Sequence, residues 1–323
     1  MAGFVDAAIH IKDWFTVYGG LRVSRDKKEV TQNKTFIIGD NCTNRFDEAE
    51  WTSVSPKIGV RSTFFDGIMA YVQYQEGFKA GGFNLSGCGD RFEPELIESY
   101  EAGLKTSWFD GLLTVNATGF TYAYTDLQVF QIRNFAGNID NAPEAEINGA
   151  ELEISSSPID LMRIDVAVSY LDATYVEFSA VDGLDLANAA GLVNANLATP
   201  QDVSGNHLNR APEFTVFVGL EYGVPLGEGG SWGTLIARGE FFWTDEFFFR
   251  PFERDFDRQE PYKIYNAFLT WMSADMRYSL RGWVKNLGNQ AYLNAAYSSD
   301  VTLQQLGNYA PPRTWGFDVR VAF

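Results

Sequence analysis

The feature that most constrains this chain is the order of its connections. Segments of about ten residues, in which apolar and polar side chains alternate, are joined in turn by a short link and then a long polar one. The pairs are 4–11 with 15–24, 54–63 with 68–75, 96–107 with 113–124, 145–155 with 162–171, 213–224 with 233–243 and 262–272 with 277–285, before a last segment at 314–323. Phe64-Phe65-Asp66-Gly67 and Trp108-Phe109-Asp110-Gly111 are tight-turn sequences, because Asp-Gly readily adopts the positive φ that a two-residue reversal requires. The long links are 25–52, 76–95, 125–143, 172–212, 244–261 and 286–313, with 127–132 continuing its strand outward. A soluble β-sandwich has two equivalent ends and no reason to segregate its links by length. An antiparallel barrel crossing a membrane has one, since short turns lie on one side and long loops on the other.

The last segment carries the same message. Trp315, Phe317, Val319, Val321 and Phe323 alternate with Gly316, Asp318, Arg320 and Ala322, which puts one continuous apolar face on a strand. In water such a face would be an adhesive edge; against lipid it is in its proper solvent. Trp14, Trp108, Trp232 and Trp271 recur near the short turns, where an interfacial aromatic girdle belongs. No apolar run is long enough for a membrane-spanning helix, and strands that alternate with polar positions leave no such run. The expected fold is therefore all-β, an antiparallel transmembrane β-barrel.

Charge and chemistry narrow the function. The formal net charge of −17 excludes a nucleic-acid surface, which must be basic. The acid excess reads either as solvation of exposed loops or as a lumen that attracts cations. His10 and His207 are the two histidines, too few for a histidine-rich metal site, and no metal or cofactor is expected. Glu93, Glu95, Glu98 and Glu101 cluster at a strand start, but no nucleophile–base pair accompanies them and no catalytic residue is assigned. Gly77, Gly81 and Gly82 precede no helix, so they do not form a phosphate cradle. Cys42 and Cys88 fall in two long links and form either one disulfide or two thiols.

The strand count comes to about thirteen, with the first strand and the last both running toward the short-turn side. A closed antiparallel barrel takes an even number. The start, Met1-Ala2-Gly3-Phe4-Val5-Asp6, also lacks a basic leader and an apolar core, so a signal peptide and further strands are expected upstream.

Several stretches, in order, resemble the barrel of TonB-dependent outer-membrane receptors, in particular the siderophore-receptor branch. They are Tyr18-Gly19-Gly20-Leu21-Arg22-Val23-Ser24-Arg25, Ser55-Pro56-Lys57-Ile58-Gly59-Val60 and Tyr74-Gln75-Glu76-Gly77-Phe78-Lys79-Ala80-Gly81-Gly82-Phe83-Asn84. They continue with the stretches at 92–105, 145–153, 209–214 and 284–292, then Pro311-Pro312-Arg313-Thr314-Trp315-Gly316 and the final Phe323. The resemblance implies a barrel of about 22 strands whose lumen is plugged by an N-terminal domain. The span 1–323 would be its C-terminal portion as a single domain, without the plug, the first strands or the segment that contacts TonB. It implies residence in the outer membrane of a Gram-negative bacterium, contact with outer-membrane lipid, and active uptake of a ferric siderophore or similar scarce nutrient. A passive porin-like channel is the alternative. Phe247, Phe248, Phe249, Arg250 and Phe252 form the best candidate ligand cluster, because aromatics with an arginine can bind a planar anionic chelate; the same residues could instead end a strand at the outer girdle. Tyr292, Tyr297 and Tyr309 carry the same two readings.

Overall fold

The computed structural model describes residues 1–35, 41–84, 88–133, 136–182, 184–185, 199–299 and 304–322, without the side chains of 131–133, 136–137, 143 and 297–299. Thirteen strands form one antiparallel sheet in which every strand pairs with its neighbour in the series. They are β1 (Ala2–Lys12), β2 (Phe15–Lys34), β3 (Cys42–Phe65), β4 (Ile68–Lys79), β5 (Glu95–Trp108), β6 (Leu113–Arg133), β7 (Ala136–Ser156), β8 (Met162–Glu177), β9 (Phe214–Pro225), β10 (Thr234–Thr244), β11 (Tyr262–Met272), β12 (Tyr278–Lys285) and β13 (Thr314–Val321). Among the described residues no pairing joins β1 to β13, so the sheet has two edges.

Much of two long links is strand: the run 25–52, which reads as a loop, and the run 125–143, where the outward continuation expected over 127–132 is found. β2 and β3 continue outward in register from Arg25↔Thr52 to Gln32↔Arg45. β6 and β7 pair from Leu113↔Ser156 to Arg133↔Ala136. Cross-strand ion pairs hold the first extension, Arg25 to Glu50 at 2.5 Å and Lys27 to Glu48 at 3.0 Å. A polar stretch reads as loop in one dimension, but its charges alternate so that opposite signs meet across a ladder. The side segregation survives, since both extensions project on the long-link side.

The two faces of the sheet are inverted relative to a soluble protein. On β5, Leu96, Tyr100, Leu104 and Trp108 are exposed on one face, and Ser99, Glu101, Gly103 and Lys105 occupy the other. On β9, Leu220, Tyr222 and Val224 alternate with Gly219, Glu221 and Gly223. The apolar face meets lipid, so the polar face is the lumen wall. Aromatic pairs lie across neighbouring strands on the outer face: Tyr74–Tyr100, Tyr170–Phe214 and Phe241–Tyr265, with centroids 4.8, 4.9 and 5.3 Å apart. Trp14, Trp108 and Trp232 are exposed at the turn side. Tyr100 and Trp108 thus bracket about 26 Å of extended strand, of the order of the ~25 Å apolar band of an outer-membrane wall.

The lumen face is held together by polar ladders and by rings laid on glycines. Asp165 accepts from Ser155 Oγ at 3.0 Å, Arg163 Nε at 3.0 Å and Arg238 Nη1 at 3.3 Å. Arg238 Nε donates to Glu240 at 2.9 Å, and Asn266 Nδ2 donates to the other Glu240 oxygen at 3.3 Å. This chain of bonds crosses β7 to β11. Tyr18, Tyr71, Phe120 and Trp283 each cover a glycine on the adjacent strand: Gly59, Gly103, Gly149 and Gly316. A Cβ on Gly149 would strike the Phe120 ring and stand 2.9 Å from the Tyr170 carbonyl oxygen, which is backbone and cannot yield. Gly149→Val is expected to lower the stability of the refolded wall by about 1–3 kcal/mol, read as a lower urea midpoint; an unchanged midpoint would remove the ring-on-glycine packing as a stabilising device.

Candidate ligand-binding site on the loop side

The buried apolar core lies at the long-link end of the wall, where the outward ends of β6, β7 and β8 meet the link that follows β8. Val129, Ala142, Ala145, Tyr175, Phe178, Ala180 and Val203 form it, with Tyr124, Leu127, Leu208 and Phe252 packed around them. Within the membrane the wall cannot have such a core, because one of its faces is turned to lipid and the other to a polar lumen. Only where the chain leaves the membrane can apolar side chains be withdrawn from water against one another.

The five residues read from the sequence as a ligand cluster fall at this end of the wall. The link between β10 and β11 folds back as a small hairpin, Phe247–Phe248 pairing with Arg258–Gln259. Phe247 and Phe248 are half-buried, whereas Phe249 is buried and edge-on to Phe247 at 5.3 Å. Arg210 lies over the Phe249 ring at 5.4 Å, and its backbone N–H donates to Phe248 O at 2.8 Å. Phe252 packs on the apolar core.

Arg250 is the hub. Its Nε and Nη2 grip the two carboxylate oxygens of Asp257 at 2.6 and 2.9 Å, and Nη1 reaches Asp182 at 2.8 Å. Phe252 and Phe256 lie under the same guanidinium at 5.2 and 5.4 Å. Arg254 joins Asp182 at 2.7 Å and Asp185 at 3.3 Å. Asp182 and Asp257 are fully buried and Arg250 is 9% exposed, so the donors face protein carboxylates rather than the vestibule. Burial raises the Asp257 carboxyl above its ordinary value, with the Arg250 charge pulling against it. Burial works against the Arg250 charge as well, but the Asp257 and Asp182 carboxylates outweigh it and hold the guanidinium above its ordinary value.

The hairpin ties three links together. Asn206 Nδ2 donates to Pro251 O at 2.7 Å, and the backbone N–H of His207 donates to Glu253 at 2.6 Å. From the last link, Gln305 Nε2 donates to Asp257 at 3.1 Å, and the Leu293 N–H donates to Gln259 at 2.7 Å. Tyr292 stacks on Tyr262 with centroids 4.2 Å apart and planes 13° apart, which adds an aromatic plate at the lumen mouth. Tyr309 is exposed on the pair formed by Leu293–Ser299 and Gln304–Tyr309; the Tyr297 side chain lies outside the described residues. At the other side of the wall's mouth, Cys42 and Cys88 are joined by a disulfide with Cα atoms 5.9 Å apart.

The sequence showed the aromatics and Arg250 but not its partners. Asp182 lies far off in the chain, and nothing local marks it. Asp257 did leave a signal in the alternating charges of Arg254-Asp255-Phe256-Asp257-Arg258. The glutamates at the start of β5 are engaged structurally. Glu93 accepts from Trp51 Nε1 at 3.0 Å, and Glu95 accepts from the Gln128 N–H at 2.8 Å. Gly81 is a packing glycine, since a Cβ there would stand 2.5 Å from Phe92 O.

An antiparallel sheet with an apolar outer face, a polar inner face, aromatic girdles and a stapled loop layer on one side defines the wall of an outer-membrane β-barrel. The chain belongs to the TonB-dependent receptors: the family model described as TonB dependent receptor-like, beta-barrel, matches residues 1–287. The ferric-pyoverdine M114 receptor PbuA of Pseudomonas sp. (strain M114) is 26% identical over 172 residues, which are 53% of this chain and 21% of the receptor. The metal-pseudopaline receptor CntO of Pseudomonas aeruginosa (strain UCBPP-PA14) is 26% identical over 156 residues, 48% of this chain and 22% of the receptor. In fold, the chain superposes on the ferric yersiniabactin uptake receptor FyuA of Yersinia pestis with a TM-score of 0.78 at 19% identity, covering all of this chain and 45% of that one. The siderophore receptor PiuA of Acinetobacter baumannii gives 0.76 at 17% identity, covering 99% and 42%. The chain thus spans less than half the length of these solved receptors. Its setting is the outer membrane of a Gram-negative bacterium.

If the Arg250 knot fastens the loop layer, Arg250→Met leaves two buried carboxylates short of their shared cation and should destabilise that layer by roughly 3–5 kcal/mol. Trypsin should then cut within 245–261 while far-UV circular dichroism keeps its strand signal; cleavage at the wild-type rate would show that the loops are held by other contacts.

Proposed function

We propose that this chain is the C-terminal part of the barrel of a receptor for active, TonB-dependent import of a metal chelate of the ferric-siderophore class. The remaining strands, the lumen-filling domain and the segment that engages TonB belong to the rest of the parent protein. The observation that carries the reading is the family match over residues 1–287 on a wall whose loop-side mouth is built from aromatic plates on a fixed scaffold. The chain acts as receptor, not catalyst.

Phe247 and Phe248 line the ligand vestibule with the Tyr262–Tyr292 plate, and Phe249, Arg250 and Phe252 hold the hairpin that presents them. This division follows from burial and bonding: the first two rings are half-buried at the loop face, while Phe249 and Arg250 are buried and Phe252 packs on the core. A rigid aromatic surface suits a large chelate, since it offers stacking area at small entropic expense.

The test uses the full-length parent in an iron-starved strain lacking its own siderophore receptors. A panel of radio-iron siderophores is offered with and without TonB. Uptake of at least one chelate that needs TonB and stops with an uncoupler is the expected result. Phe248→Ala should weaken binding by about 1–2 kcal/mol, or roughly tenfold. Uptake that ignores both TonB and uncoupler would point to a passive channel and defeat the proposal.

A further inference from the structure

The lumen wall treats its cations in two ways. Arg163 and Arg238 are neutralised, at 3.0 Å from Asp165 and 2.9 Å from Glu240 respectively. Elsewhere on the wall, on β3 and β5, Lys57, Arg61 and Lys105 converge on one pocket of about 420 Å³, together with Tyr18, Tyr71 and Glu101. Among the described residues no salt bridge joins any of the three to a carboxylate, and the two lysines lie over rings. Lys57 lies over Tyr18 at 5.6 Å and Lys105 over Tyr71 at 5.7 Å. The single acid of the pocket, Glu101, is already bonded by the Tyr71 hydroxyl at 2.5 Å, and the Tyr18 hydroxyl donates to Gln73 at 3.2 Å.

This imbalance is unusual for the chain it sits in. Acidic residues number 42 against 25 Lys and Arg, so partners for three cations were abundant. The strand register keeps them together: Arg61 faces Tyr71, Tyr71 faces Gly103, and Tyr18 faces Gly59. All five positions lie on the polar face within three consecutive pairings, about 4.8 Å per strand. The two tyrosine rings are pressed onto Gly59 and Gly103, which fixes the floor of the pocket. Three cationic side chains therefore stand around an aromatic floor, in a volume typical of a small-molecule site.

We infer that this pocket is a second ligand station, on the lumen wall, that takes a small molecule bearing several anionic oxygens, such as a polycarboxylate or the acidic arms of a chelate. It lies within β2 to β5, apart from the loop-side vestibule built on the β10–β11 link. The inference rests on the reading of this face as a transport path. An anion entering it is bound by lysine and arginine charges that no carboxylate among the described residues pairs with, and it slides over tyrosine faces instead of being locked by backbone donors. The acidic surroundings keep other anions from collecting elsewhere on the wall.

The experiment is calorimetric titration of citrate into the full chain in detergent micelles, with strand content checked by circular dichroism. Saturable one-to-one binding is expected, weakened by added salt. The triple variant Lys57→Gln, Arg61→Gln, Lys105→Gln should bind at least about tenfold more weakly. The charge-conserving Lys57→Arg, Lys105→Arg and the distant Arg163→Gln should bind as wild type does. Absence of saturable binding by a chain with native strand content, equal binding by the triple variant, or an equal loss in Arg163→Gln would each overturn the site. So would exclusion of citrate once the rest of the parent is present, which would assign the cations to carboxylates of the lumen-filling domain. The two readings fail separately. Lost citrate binding with TonB-dependent uptake intact removes the station alone, whereas absent uptake with citrate binding intact removes the transport reading alone.

Discussion

Every backbone N–H and C=O in a hydrocarbon layer needs a partner, because an unmet group there costs several kcal/mol. That requirement explains why the wall is one continuous antiparallel sheet and why each strand bonds to its sequence neighbours. It also dictates the alternation of side chains, since the pleat sends successive residues to lipid and to lumen. The outer face then carries Leu, Val, Phe, Tyr and Trp in the open, an arrangement that would precipitate a soluble domain. The inner face carries the charges, and part of them satisfy one another through ladders such as that around Asp165 and Arg238.

The same constraint displaces the core. With both faces of the wall already committed, apolar burial is possible only above the membrane, where loops fold on themselves. There the protein uses two kinds of glue: a small hydrophobic cluster around Tyr175 and Phe178, and a buried ion knot around Arg250. The knot does what an apolar contact cannot. Bidentate and shared carboxylate contacts fix direction as well as distance, and they bind the 178–213, 245–261 and 286–313 links into one surface. A binding surface gains from loops ordered in advance, because less freedom is lost on binding.

Electrostatics then distinguishes two regions of one wall. On β8 and β10 the cations Arg163 and Arg238 are paired with Asp165 and Glu240. From β2 to β5 Lys57 and Lys105 lie over tyrosine rings and, with Arg61, line one pocket. A lysine over a tyrosine is stabilised modestly and stays available to an anion, whereas an arginine gripped by two carboxylates does not. The contrast between Arg250, whose charge is spent on structure, and Lys57, Arg61 and Lys105 is the most direct guide to where a ligand could be met inside the barrel.

The amino-acid sequence alone determined the strands, their order and the side on which each link lies, because pleat periodicity and turn chemistry are local properties. Trp315 to Phe323, the Asp-Gly turns and the unequal links were enough for that, and the ordered family stretches supplied the architecture around it. Local reading failed where distance mattered. The polar run 25–52 looks irregular until Lys27 meets Glu48 across a ladder, and the outward strand legible over 127–132 finds its partner only when Gln128 meets Asn141. Nothing in the run from Phe247 to Phe252 shows that the Arg250 guanidinium is held by Asp182, some seventy positions away. The pairing of Cys42 with Cys88 and the gathering of Lys57, Arg61 and Lys105 were likewise decided only in three dimensions, since strand register, not sequence spacing, sets which side chains share a pocket.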